Sequence, residues 1–263
     1  MNFPYDLTRP SKVITLQKKY DEISGICPVD DDTNIAFVQD EAIQVHHSSL
    51  LDDSFIDFKF HAEGDSEDLT IIGESAYILH AGDKPSLYRI DQYKSPDAVY
   101  WRYDLDLDES FDPEGLCFDS HSNQLLIACK GAPGKESGRR NVYSFSLESE
   151  LLHPEPKLII DSNLFLYGAS IFNPSSIAIH PHTRDIYLVG TKGVKMIICY
   201  ANNGIFKGAW GLNPRILPQP EGIAFLDSGM LVLCTEAQRP NKKEKKEGLM
   251  SIDASISFYD MIG

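Results

Sequence analysis

Five short segments of this 263-residue chain share an acidic or proline-containing lead. They are Asp21-Glu22-Ile23-Ser24-Gly25, Ser66-Glu67-Asp68-Leu69, Pro113-Glu114-Gly115-Leu116, Pro174-Ser175-Ser176-Ile177 and Pro220-Glu221-Gly222-Ile223. Taken as equivalent, Glu22, Glu67, Glu114 and Glu221 form one recurring carboxylate position, with Ser175 as its neutral member. If the segments meet around an axis, four carboxylates converge, and they repel unless a cation, protons or basic side chains offset them. A hard cation satisfies that requirement, Ca²⁺ first and Mg²⁺ second. Glu22, Glu67, Glu114 and Glu221 are therefore the expected metal ligands, and calcium the expected cofactor. The competing reading is structural: a Glu before Gly accepts backbone N–H bonds at a strand entrance and stitches one repeat to the next.

A second recurring set falls just past a second apolar run in each segment: Asp40 and Glu41, His80, Lys130, Thr191 and Lys192, then Thr235 and Glu236. It sets acids beside a histidine and two lysines. Lys130, with Arg139 and Arg140 on the adjoining loop, suits a phosphate or carboxylate of a ligand. The candidate ligand-binding residues are Asp40, Glu41, His80, Lys130, Arg139, Arg140, Lys192, Glu236, Arg239 and Asn241. The alternative is that Lys130 and Lys192 neutralise neighbouring acids. No catalytic residue is assigned. Ser24-Gly25 lacks the G-x-S-x-G elbow, the run Gly131–Gly138 does not match a phosphate loop, and no H-x-H or H-E-x-x-H spacing points to zinc. Trp101, Tyr103, Trp210 and Tyr259 suit a ligand surface or strand packing equally.

The elements that position these residues are short strands. Second strands align at Ile35–Gln39, Ala76–His80, Leu125–Cys129, Asp185–Val189 and Met230–Cys234, with polar turns before them. Third strands are expected at Tyr88–Ile90, Val142–Phe145, Met196–Cys199 and Met250–Ile252. A period of roughly 45 residues with about four strands per unit is the pattern of propeller blades. The expected fold is all-β, a five-bladed β-propeller over residues 1–263, its blades beginning near 22, 67, 114, 175 and 221. An insertion between 130 and 172 lengthens the third blade. The terminal units look like the middle ones, so Val13–Leu16 is expected to complete the last blade and hide its edge.

The formal charge of −15 opposes nucleic acid phosphates and anionic lipid heads, so neither is an expected partner. The densest basic run, Lys242–Lys246, is broken by Glu244 and reads as a solvated hairpin tip. The five cysteines include no C-x-x-C pair, and four lie in or beside apolar runs, which fits buried free thiols. The opening residues carry no basic stretch leading into a long apolar one, so no membrane-spanning contact is read there.

Together, Glu22-Ile23-Ser24-Gly25, Asp112-Pro113-Glu114-Gly115-Leu116, Ala128-Cys129-Lys130, Phe172-Asn173-Pro174-Ser175, Ile179-His180-Pro181, Asp185-Ile186-Tyr187 and Gln219-Pro220-Glu221-Gly222-Ile223-Ala224 give the chain its likeness. It resembles the bacterial SdiA-regulated family of five-bladed propellers from Tyr5 to Leu249, and more distantly the phytase and esterase-like propellers, some of which hold Ca²⁺ in an acidic channel. The chain departs from that pattern at Asp68, where glycine is typical, and at Ser175, where Glu is. The resemblance implies a bacterial envelope or periplasmic setting and no fixed reaction. The favoured function is a binding module, taking a small anionic or sugar-like ligand or a protein segment at the mixed-charge channel mouth, because no nucleophile–base arrangement is legible. Alternatives are a Ca²⁺-assisted phosphoesterase-like hydrolase and a metal-free structural scaffold.

Overall fold

A computed structural model describes residues 3–262 except 31, 41, 135–136, 167–169, 242, 244–247 and 249, and leaves the side chains of 61–63 undescribed. The innermost strand of each blade is one of the apolar segments picked out above: β2 (Ile23–Val29), β6 (Ser66–Ile72), β10 (Pro113–Asp119), β15 (Asn173–Ile179) and β19 (Pro220–Phe225). Each pairs antiparallel with a second strand: β3 (Asn34–Gln39), β7 (Ser75–His80), β11 (Gln124–Cys129), β16 (Ile186–Lys192) and β20 (Leu231–Thr235). Four sheets are then completed outward in chain order. β4 (Ala42–Ser49) and β5 (Phe55–Glu63) follow in the first, and β8 (Ser86–Asp91) and β9 (Val99–Asp104) in the second. The third adds β12 (Arg139–Ser146), which pairs with both β13 (Leu151–Leu152) and β14 (Leu158–Asp161); the fourth adds β17 (Met196–Tyr200) and β18 (Phe206–Gly211).

The fifth sheet closes the ring. Its outermost strand is β1 (Lys12–Thr15), paired from Lys12↔Phe258 to Thr15↔Ser255 with β21 (Ser255–Tyr259). The fold is thus an all-β, five-bladed propeller whose N-terminal strand completes the last blade. The third strand of that blade is β21, not the expected Met250–Ile252. Ile252 forms only an isolated bridge to Gln238, and the fully buried run Ser255–Tyr259 supplies the apolar face that the blade needs.

Blades in a closed ring are covered on both faces, so their central strands read as continuous apolar runs, not alternating ones. Leu125–Cys129 is buried at every position. The core divides into five clusters, one in each gap between neighbouring blades. The cluster that joins Ile23, Ile26, Ile35 and Phe37 to Val232, Cys234, Ile256 and Phe258 seals the last blade to the first. Among the described residues, no helix is long and apolar enough to cross a membrane.

Candidate functional site

Each inner strand carries an irregularity at its start. Register shifts fall between Ser66 and Asp68, Pro113 and Gly115, Pro174 and Ser176, Pro220 and Gly222, and, in the first blade, Ile23 and Ile26. An extra residue there bends the strand and re-aims its side chains. Anchored on the regular pairs Ile26↔Phe37, Leu69↔Ile78, Leu116↔Ile127, Ile177↔Leu188 and Ile223↔Leu233, the equivalent positions are Ser24, Glu67, Glu114, Ser175 and Glu221. Glu22 is therefore not the first-blade member of this ring. It is exposed and lies two residues earlier, and a serine stands in its place. Both serines stitch blades together: Ser24 Oγ donates to the Glu67 carbonyl at 2.6 Å, and Ser175 Oγ donates to the Pro220 carbonyl at 2.9 Å.

The next residues, Gly25, Asp68, Gly115, Ser176 and Gly222, form the waist of the channel. A Cβ on Gly25 would sit 2.0 Å from Asp68 Oδ1, and one on Gly222 would sit 2.6 Å from Cys234 Sγ and 2.9 Å from the Ser24 carbonyl. The space that Gly25 leaves is filled by Asp68, which is 1% exposed. Its Oδ1 accepts from Leu69 N at 2.8 Å, and its Oδ2 accepts from Leu116 N and Ser176 Oγ, each at 2.8 Å. Burial holds the Asp68 carboxyl well above the usual carboxylate range, against the pull of these three donors. Beyond the waist, a cavity of about 140 Å³ continues between Cys27, Thr70, Cys117, Ala178 and Ala224.

On the other side of the waist lies the acidic mouth. Antiparallel pairing brings the start of each inner strand beside the end of its second strand (Pro113↔Cys129, Pro220↔Thr235), so the two residue sets found in the sequence share one end of the channel. Lys130 Nζ donates to Glu114 Oε1 at 2.6 Å. Burial, then the charge of Glu114, pushes the Glu67 carboxyl up, and burial raises Glu114 itself while Lys130 pulls it back. Glu221 is pushed up to about 8 by burial and by the charges of Glu236 and Glu114, opposed by Lys130 and a hydrogen bond with Thr191. Glu236 rises to about 7 through burial and the nearby Asp40, although the Gln219 side-chain amide donates to it. Burial works against the charge on Lys130, but Glu114, Asp112 and Glu221 more than offset it and raise its pKa.

The structure thus gathers Glu67, Glu114, Lys130, Glu221, Glu236 and Asp40, with exposed Glu22 at the margin as a charge felt by Glu236. The other candidates are engaged elsewhere. His80 lies 3.3 Å from Ser86 Oγ and edge-on to Tyr88. Arg139 is exposed beside Asp161 at 3.6 Å. Arg140 is 2% exposed and gives its guanidinium to Asn173 Oδ1 and to the carbonyls of Ser137 and Arg139. Arg239 ties Asp21 to Asp253 at 2.6 and 2.9 Å. Lys192 is exposed, as is Asn241, whose side-chain oxygen caps Lys243 N at 2.9 Å. Glu41 lies outside the described residues, as does most of the basic run Lys242–Lys246.

The calcium expectation is overturned. Among the described residues, no three His, Cys, Asp or Glu side chains stand close enough to hold one metal ion. The ring has three acids where four were counted, and the ammonium of Lys130 and proton uptake by the carboxyls offset their mutual repulsion. The residues missed in the sequence were Ser24, Gln219 and the pair Asp68–Ser176. Matching Gly25-Ile26 to Gly115-Leu116 and Gly222-Ile223, instead of matching the glutamates, would have found Ser24 and shown Asp68 to be a waist residue.

No family model matches the chain, and no curated protein does. Solved structures are similar. A luciferin-regenerating enzyme is 9% identical with a TM-score of 0.59, over 97% of this chain and 96% of that one. The PQQ-bound aldose sugar dehydrogenase of Streptomyces coelicolor is 10% identical with a TM-score of 0.57, over 96% and 97%. A gluconolactonase from Xanthomonas campestris is 10% identical with a TM-score of 0.55, over 91% and 72%. At these identities the likeness bears on the propeller fold alone.

Proposed function

We propose that the chain is a small-ligand-binding module whose site is the acidic channel mouth, and that the ligand is a neutral, sugar-like polyhydroxyl compound. The observation that carries this reading is the convergence of Glu67, Glu114, Glu221 and Glu236 around Lys130, whose ammonium is already given to Glu114. Carboxyl groups whose pKa burial raises hold protons more readily, and so supply O–H donors and oxygen acceptors side by side. That combination matches hydroxyl groups, each of which donates once and accepts twice. An anion is the poorer fit, since it would add charge to a mouth that also feels Asp40, Asp65 and Asp112.

The same proposal takes up the resemblance to the SdiA-regulated family, whose Pro-Glu-Gly motifs include Glu114 and Glu221, together with the envelope or periplasmic setting that it implies. Fractionation of the native cells tests that setting, and an exclusively cytoplasmic pool removes it.

The binding test is ligand-observed saturation-transfer NMR with glucose, xylose and myo-inositol beside glucose 6-phosphate. The neutral compounds are expected to receive saturation, and the double substitution Glu221→Gln, Glu236→Gln is expected to weaken the effect about tenfold, as loss of charge-assisted hydrogen bonds does. Silence from every neutral compound, or equal binding by the double variant, would end the proposal.

A further inference from the structure

The outermost strand of every blade presents an edge on which another chain could pair, and four of the five are blunted in ways that proteins commonly use. β1 and β14 have four residues each. β5 has a register shift against β4 and carries exposed Lys59. β18 is interrupted by Gly208 and by a register shift near Lys207.

β9 is neither short nor interrupted, and its two exposed charges, Arg102 and Asp104, are paired with each other. Its six residues, Val99-Tyr100-Trp101-Arg102-Tyr103-Asp104, pair with β8 in unbroken register from Asp91↔Val99 to Ser86↔Asp104, with neither glycine nor proline. On its outer side it pairs with no strand among the described residues. Val99, Tyr100 and Trp101 are 53%, 44% and 55% exposed, and Arg102 continues the exposed run. In a chain of net charge −15 this strand is close to neutral, because Arg102 pairs with Asp104 at 3.2 Å and neighbouring Arg89 pairs with Asp91 at 2.8 Å.

We propose that β9 is the contact strand of a two-fold homodimer, formed when the β9 strands of two copies pair antiparallel and join their second blades into one eight-stranded sheet. The strand is complementary to itself. A two-fold axis normal to the sheet keeps each face on its own side, so residues of the same parity must meet. Centred on Trp101, that register sets Trp101 against the second copy's Trp101, Val99 against its Tyr103, and Tyr100 against its Arg102. These are an aromatic pair, two pairings of a β-branched residue with an aromatic, and two of an arginine with an aromatic, each a favourable cross-strand combination. Asp104 meets the neutral Ala98. The local charge balance lets two strongly acidic molecules approach at this strand without the repulsion that most of their surfaces impose. One strand pair makes a small interface, so the association is of the weak, micromolar kind.

The test is sedimentation velocity on the purified chain from about 1 to about 200 µM, the range in which a weak dimer forms. A monomer–dimer equilibrium is expected, and Trp101→Glu is expected to weaken it at least tenfold with an unchanged melting temperature, since the residue is exposed. Hydrogen exchange on the unaltered protein gives a readout that does not depend on how a variant folds: amides of β9 should gain protection as concentration rises. A monomer across the range, a dimer indifferent to Trp101→Glu, or β9 amides indifferent to concentration would each overturn the proposal.

Discussion

Asp68 and Ser176, from the second and fourth blades, meet within the channel waist, where Ser176 Oγ donates to Asp68 Oδ2 at 2.8 Å. Ser176 Oγ also accepts from Ile223 N of the fifth blade at 3.3 Å, Asp68 Oδ2 accepts from Leu116 N of the third, and Gly25 of the first packs against the same carboxyl. One buried acid therefore touches or links all five blades.

Removing it should be costly. Asp68→Ala leaves the Leu116 N–H and the Ser176 hydroxyl without their acceptor in a buried setting, and is expected to destabilise the fold by about 3–5 kcal/mol. Ser176→Ala is expected to cost about 1–2 kcal/mol. Because the two share one hydrogen bond, the double variant should lose less than the sum, and urea unfolding of the four proteins measures the difference. Strict additivity would show that the waist is not a connected network.

Gly25 gives an independent test of the same geometry. A methyl group there would collide with Asp68 Oδ1, so Gly25→Ala alone is expected to cost more than about 3 kcal/mol through overpacking. Asp68→Gly in the same chain removes the carboxyl but keeps the Asp68 Cα, which would lie 2.4 Å from the same methyl group, so part of the strain stays. Thermal melts should then show Gly25→Ala costing less in that background without becoming neutral. An equal penalty in both backgrounds would place the strain at the backbone and not at the carboxyl.

The blade repeat was legible because closed-ring packing imposes apolar runs and turns at a steady period, which survive as pattern even where identities vary. The inner-ring position was misjudged in the first blade for a local reason. Glu22-Ile23-Ser24-Gly25 contains both a glutamate and a glycine, each of which can be matched to Glu114-Gly115, and strand register selects the glycine. The mouth was legible in part: Glu114, Lys130, Glu221 and Glu236 could be placed at one end by counting along strands. The pairing of Lys130 with Glu114 could not, nor could the engagement of Arg140 with Asn173, because side chains from different strands meet only after the chain has closed. Asp68 stood out only as a departure from glycine.

Glu221 makes stability fall as pH rises. Its carboxyl is raised from 4.5 to about 8 in the folded protein, so between those values the folded state holds a proton that the unfolded state has released. Stability on this account is full below about pH 4.5 and declines until about pH 8. Glu221→Gln keeps a neutral side chain at every pH, so it should gain relative to the parent by roughly 1–3 kcal/mol at pH 8.5 and by little at pH 5. Melting curves at the two pH values check this, and a gain of the same size at both would contradict it.

Lys130 tests whether the mouth relies on its own ammonium in place of a metal. The Lys130 and Glu114 side chains are only 21% and 9% exposed, so Lys130→Met strands a buried carboxyl without its partner. Burial already holds Glu114 above its ordinary 4.5, and losing the ammonium that pulls it down raises it further. Below about pH 7 the folded parent and the folded variant both keep this proton, because Glu114 is raised to about 7 even beside Lys130, and the loss of the ammonium costs little that depends on pH. Above that value the parent releases the proton into a charged pair, while the variant must keep it or bear an unpaired buried charge. The penalty should then grow by about 1.4 kcal/mol per pH unit, toward about 3 kcal/mol at pH 9. Urea midpoints of parent and variant at pH 5, 7 and 9 should therefore keep a nearly constant gap between pH 5 and 7 and diverge between pH 7 and 9, and 1 mM Ca²⁺ should not restore the variant, because the surrounding acids form no metal-holding group among the described residues. A constant gap across the three pH values, or rescue by Ca²⁺, would mean that something other than Lys130 balances the charge of this mouth.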